Sequence, residues 1–222
     1  MGYMHMRISA GVLSVIWAAC ICGTVLALAW YDTRIYTFAP RANTAPVKLP
    51  SSSGIDSSAQ TSGLHKYTKP TVTIFLHPYC PCSRASLTEF AVLAHEFRGM
   101  ADFRVLFMKP ISRQRTWVER SSLYARAQAM PYCTVNIDDN GVEAALVNAV
   151  TSGFTTVYSP EGRLLFSGGI TGARGHEGNN PGEEAVRVIL RKYYSSRDGK
   201  TLTNLWSTAA PTFGCTLRDT SQ

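Results

Sequence analysis

The run Thr71-Val-Thr-Ile-Phe-Leu-His-Pro-Tyr-Cys-Pro-Cys-Ser83 constrains the fold more than any other part of the chain. β-Branched and aromatic residues from Thr71 to His77 predict a strand. From Ser83 to Phe97, Leu87, Phe90, Leu93, Ala94 and Phe97 recur at helical spacing. Two cysteines, Cys80 and Cys82, therefore fall on a tight strand-to-helix turn. Unpaired backbone N–H groups and the macrodipole at a helix start favour negative charge, so a thiolate there is stabilised and its pKa falls. The chemistry expected is thiol redox exchange or the binding of a soft metal.

Further along, Phe103 to Met108 reads as a strand, Thr116 to Met130 as one helix stopped by Pro131, and Cys133 to Ile137 as a strand closed by Asp138-Asp-Asn-Gly141. Val142 to Ala149 reads as a short helix. Thr155 to Tyr158 and Arg163 to Ser167 flank Ser159-Pro-Glu-Gly162, a tight reversal that makes them a hairpin. Pro181, Glu183 and Glu184 open a last helix running to about Ser196. Strand–helix alternation of this kind predicts parallel pairing under covering helices, ending in an antiparallel pair.

The N-terminus is different in kind. Ile8 to Trp30 is 23 residues without a charged side chain, long enough to cross a hydrocarbon core of about 30 Å. It exceeds a signal-peptide core, and Trp30-Tyr31 resembles an interfacial aromatic belt. Trp17 argues against Cys20 as a lipid acceptor, leaving Cys20 and Cys22 as membrane-helix packing residues. Asp32 to Lys66 is rich in Ser, Pro, Ala and Thr, with too little apolar surface for a core. The expected organisation is a transmembrane anchor at 1–31, a linker at 32–66 and one soluble domain at 67–222. The seven-residue leading tail favours export of that domain, although Arg34, Arg41 and Lys48 outnumber Arg7 across the segment. The expected place is a bacterial inner membrane, single-pass, with the domain periplasmic. The formal charge of +7 is scattered, without a basic run interleaved with aromatics, which argues against nucleic acid as a partner.

The element order, with a cysteine motif at the first strand-to-helix junction, resembles the thioredoxin fold. The segment between Met108 and Val142 is similar to the insertion of membrane-anchored TlpA-like and SCO-like members. More narrowly, His77-Pro-Tyr-Cys-Pro-Cys-Ser-Arg-Ala-Ser86, Gly162-Arg-Leu-Leu-Phe-Ser-Gly-Gly-Ile-Thr171 and Phe213-Gly-Cys-Thr-Leu217 resemble the RedB-like proteins of that superfamily, over about residues 68 to 217. The resemblance implies an α/β fold with a mixed central sheet flanked by helices. It implies thiol–disulfide exchange with protein thiols and disulfides, without a required cofactor, and Cys80 as attacking thiol because it aligns with the family nucleophile. Ordinary members carry Cys-x-x-Cys; here the second cysteine arrives one residue early and Ser83 stands where the resolving thiol belongs.

Three readings follow. In the first, Cys80 and Cys82 cycle through a disulfide whose small ring is expected to be strained and oxidising, with Cys82 resolving the mixed disulfide. In the second, both thiolates bind Cu(I), with a histidine such as His77 or His176 completing an SCO-like copper site. Ser152-Gly-Phe-Thr155 lacks the proline that thioredoxins place there, which leaves room for another ligand, but neither histidine matches the SCO position. In the third, the domain is a non-catalytic binding module. A peroxidase site is disfavoured because Pro78-Tyr79 occupy the place of a Thr-x-x-Cys pocket.

The auxiliary candidates are His77, Arg84 and Cys215. His77 lies close enough in sequence to address the Cys80 thiolate, and Arg84 sits in the first helical turn. Cys215 lies in a polar tail outside any periodic element, free to return to the motif as a third thiol, to ligate metal or to bridge Cys133. Cys133 itself reads as a buried small hydrophobe on a central strand. Gly168 to Gly182, with six glycines and His176, is long enough to be a lid or a binding surface.

Overall fold

The computed structural model describes residues 10–32, 68–195 and 208–218. Contacts divide the chain into two units, Met1–Arg34 and Ile35–Gln222. Apart from Asp32, the linker expected at 32–66 lies outside the described residues. In the first unit α1 spans Ala10–Asp32. Its stretch Gly11–Tyr31 is long and apolar enough to cross a membrane, a test that a signal sequence near an N-terminus also meets.

The second unit is built on β1 (Thr71–Leu76), β2 (Asp102–Lys109), β3 (Cys133–Asp139), β4 (Phe154–Tyr158), β5 (Leu164–Gly168) and β6 (Thr208–Ala209) in one six-stranded sheet. The strand order is β3-β2-β1-β4-β5-β6. β1 pairs in parallel with β2, and β2 with β3, whereas β4 runs antiparallel to both β1 and β5. The fold is α/β and thioredoxin-like, as expected. The α-helices α2 (Ser83–Glu96), α3 (Arg115–Glu119), α4 (Ser122–Gln128), α5 (Val142–Leu146) and α6 (Pro181–Ser195) flank the sheet.

Every residue of β1 is buried, as an apolar strand covered on both faces must be. Val72, Ile74 and Leu76 join the larger core with Leu87, Phe90 and Leu93 of α2, Leu123 of α4 and Val186, Ile189 and Leu190 of α6. Phe75 joins a second cluster with Leu106, Met108, Ala144 of α5, Phe154 and the tail residue Leu217. This alternation is the two-residue period of a strand made visible. Arg187 of α6 ties the two long helices together by pairing with Glu96 of α2 at 2.8 Å and with Glu183 and Glu184 in its own first turn.

Three expectations change. The single helix expected over Thr116–Met130 is two. Ser121 is extended (φ −73°, ψ 140°) and its hydroxyl accepts from the Tyr124 N–H, so it caps a new helix and ends the first. Cys133 opens an edge strand rather than a central one and is half-buried. β6, which no periodicity announces, adds two residues in parallel to β5.

Candidate thiol site

β1 ends at the carboxyl edge of the sheet and passes its chain straight into the cysteine turn. The Cys80 N–H donates to the His77 carbonyl at 3.2 Å and the Ser83 N–H to the Cys80 carbonyl at 3.1 Å. Cys82 is the cap of α2 (φ −66°, ψ −26°) and uses no side-chain hydrogen bond to cap it. The strand-to-helix placement of both cysteines therefore follows the sequence reading.

The tail completes the site. After β6 the chain crosses the carboxyl edge, and Thr216 forms an antiparallel bridge with Thr151. The Ser152 N–H donates to the Cys215 carbonyl at 2.9 Å and the Leu217 N–H to the Val150 carbonyl at 2.8 Å. This strap occupies the region where the sequence lacks a proline. Glycine is required at two points of the crossing. Gly153 has φ +97°, and a Cβ on Gly214 would collide with the Ser152 carbonyl. The result is a cluster of Cys80, Cys82 and Cys215 whose sulfur atoms all lie within 4.8 Å of one another. Cys80 is buried, with 4 % exposure, and the other two are half-buried. All six cysteines are unbridged.

The Cys80 thiol is pulled down to about 4. The largest cause is the Cys215 thiol, which donates to it; burial opposes this, and the Ser83 hydroxyl and the N–H groups of Cys215 and Ser83 add to the lowering. Cys82 is pushed up by burial and then by the Cys80 charge. Cys215 is pushed up because its proton is engaged by Cys80, then by burial and by the charges of both neighbours. The three therefore hold one thiolate, on Cys80, and two thiols. Arg174 is buried with 8 % exposure, its Nη2 donates to the Gly214 carbonyl at 2.9 Å, and its charge favours the ionised forms of Cys82 and Cys215.

A serine pair supports the thiolate from behind. The His77 N–H donates to Ser152 Oγ at 2.7 Å, and Ser152 Oγ lies 2.6 Å from Ser83 Oγ. Each hydroxyl has one proton. Since Ser83 gives its proton to Cys80, Ser152 must donate to Ser83, and the chain runs in one direction from the His77 amide to the Cys80 sulfur.

The remaining sequence candidates fall elsewhere. His77 lies at the end of β1, but its Nδ1 accepts from the Tyr79 N–H at 3.2 Å and its ring packs edge-on against Trp117 with centroids 5.7 Å apart. Arg84 is exposed on α2. His176 is exposed in the loop between β5 and α6, outside the thiol cluster. That loop instead contributes Arg174, which the sequence reading passed over, as it passed over the roles of Ser83 and Ser152. A lone arginine in a glycine-rich loop facing a cysteine turn was the available signal.

Three sulfurs at this spacing could hold a metal ion, and thiolates suit a soft one. Cys215 takes the third place that the sequence reading gave to a histidine.

No family model matches the sequence, and no curated protein matches it. Among solved structures, an uncharacterized conserved protein from Geobacillus kaustophilus is similar over 71% of this chain and 80% of its own, with TM-score 0.54 and 17% identity. A protein from Sinorhizobium meliloti is similar over 71% and 83%, with TM-score 0.52 and 19% identity. A secreted Mycobacterium tuberculosis disulfide oxidoreductase is similar over 56% and 81%, with TM-score 0.39 and 16% identity. Likeness at these identities concerns the fold.

Proposed function

We propose that this chain is a thiol–disulfide oxidoreductase of the membrane-anchored TlpA/SCO-like branch, close to the RedB-like proteins, with Cys80 as the attacking thiol and protein thiols or disulfides as substrates. The observation that carries the reading is the hydrogen bonding of Cys80. A buried sulfur facing two side-chain donors and two backbone N–H groups is held as a thiolate, the nucleophilic form. The domain, 67–222, is carried on the anchor 1–31 by the linker 32–66, single-pass in a bacterial inner membrane with its cysteine edge on the periplasmic side. No cofactor is needed for exchange between sulfurs.

A redox titration of the full chain in detergent tests this, read by alkylation mass shifts. The expected result is a reversible two-thiol transition between about −120 and −270 mV, the span of thioredoxin-fold couples. Cys80→Ser should abolish mixed-disulfide formation; full exchange activity in that variant would sink the assignment.

The three-sulfur cluster favours a second reading, in which Cys80, Cys82 and Cys215 hold Cu(I). It expects about one copper per chain, bound in competition with a Cu(I) chelator and lost when Cys80 and Cys82 are both replaced. Unchanged copper content in that double variant would exclude it.

A further inference from the structure

Cys215 meets the Cys80 sulfur with both its thiol and its backbone N–H, whereas Cys82 meets it with its thiol. The Thr151–Thr216 bridge and the two flanking main-chain hydrogen bonds hold 215–217 extended against 150–152, much as a bound peptide would lie. Leu217, fully buried beside Phe75 and Phe154, anchors the far end. Between these fixings Cys215 directs both its thiol and its N–H at the Cys80 sulfur. Cys82, the αR cap of α2, also turns its thiol toward the Cys80 sulfur and shares the 4.8 Å cluster, but it belongs to the cysteine turn itself and not to the strap. A Cys80–Cys82 bond would also have to close the small ring across Pro81.

We propose that Cys215, not Cys82, is the thiol that resolves the mixed disulfide on Cys80, so that oxidation fastens the C-terminal strap to the cysteine turn. The inference rests on thiol–disulfide exchange at Cys80. The Cys80 thiolate attacks one sulfur of a substrate disulfide, a Cys80–substrate S–S bond forms, and the other half leaves as a thiolate. Cys215 then attacks the Cys80 sulfur, the mixed bond breaks, and the second half leaves as a thiol, taking the proton that Cys215 gives up. The substrate gains two electrons and leaves as one thiolate, which takes a proton from water where its pKa requires, and one thiol, and the protein gains a Cys80–Cys215 disulfide; the reverse sequence oxidises a substrate dithiol.

The test uses the reduced full chain in detergent with oxidised glutathione as substrate, acid-quenched, alkylated and digested with trypsin without reduction. Cys80 and Cys82 share the peptide 67–84, since Lys69 precedes a proline, whereas Cys215 lies in 201–218. The expected map joins these two peptides in the unaltered chain and in Cys82→Ser. In Cys215→Ser, glutathione should remain on Cys80 at least tenfold above its level in Cys82→Ser. A disulfide confined to 67–84, loss of the link in Cys82→Ser, or glutathione persisting in Cys82→Ser instead, overturns the proposal. The map of the unaltered chain needs no substitution, so misfolding of a variant leaves it decisive. Neither disulfide nor adduct in any of the three proteins overturns the exchange reading itself, and this inference with it.

Discussion

Two cysteines at opposite ends of the sheet answer burial in opposite ways. Cys133 sits in register with Phe103, which pairs with Val72, near the start of β1. Cys80 lies beyond Leu76, four residues further along that strand, so about 13 Å of sheet separates their levels. Burial alone pushes the Cys133 thiol up to about 11, whereas the more deeply buried Cys80 is held at about 4. What separates them is the supply of donors. The carboxyl edge, where a helix starts and the strap crosses, offers several hydrogens to one sulfur, while the other end offers none of that effect. The same separation places a Cys133–Cys215 bridge out of reach, because Cys215 belongs to the Cys80 end.

The largest effect that could break this comparison is the thiolate population. At pH 7 Cys80 should be fully ionised and Cys133 ionised to about one part in ten thousand, from its value of about 11. Thiolate absorbance near 240 nm in the reduced chain should report one anion persisting below pH 6 and absent in Cys80→Ser; a spectrum unchanged by that substitution would erase the contrast.

Stability follows with its own sign. The folded value for Cys80, about 4, lies below the ordinary thiol value of 9.0, so the thiolate stabilises the reduced fold fully above pH 9. That stabilisation is lost as pH falls through 4, by about 1.4 kcal/mol per pH unit over the interval between. Urea unfolding of the reduced chain at several pH values should show this slope, and Cys80→Ser should flatten it.

Replacing the largest donor sharpens the comparison further. Cys215→Ala should raise the Cys80 midpoint by one to two pH units, the worth of a hydrogen bond to a charged group at roughly 1.5–3 kcal/mol. A midpoint left in place would mean that the backbone N–H groups suffice. Ser152→Ala, which cuts the hydroxyl chain one step further back, should raise it by less than about one unit. It should also destabilise the fold by about 1 kcal/mol by stranding the His77 N–H; thermal unfolding and the absorbance titration read the two effects separately.

The parts of this molecule legible in its sequence are those governed by local pattern. A β-branched run had to be a buried strand, spaced leucines had to be α2, and the hairpin turn carried its own proline and glycine. Ser121 went unread because a serine inside a helical pattern is common, and only its hydroxyl meeting the Tyr124 N–H makes it a cap. Cys215 was visible as a cysteine without a core to explain it, but its return to Cys80 depends on the 208–217 path, a tertiary fact. Arg174 and the Ser83–Ser152 pair were harder still. Their neighbours are about 40 to 70 residues away in sequence, so no window along the chain contains the interaction.

The short β6 has a consequence for how copies of the domain meet. A sheet edge is a template on which another chain can add a strand. Here the β5 side of the sheet ends in two paired residues, Thr208 and Ala209, after which Ala210 turns inward and Pro211 offers no N–H. Among the described residues the strand that covers β5 is two residues long, and Pro211 stops it from being continued past Ala210 as a donor ladder, so on its C-terminal side this border is blunt to edge-to-edge pairing.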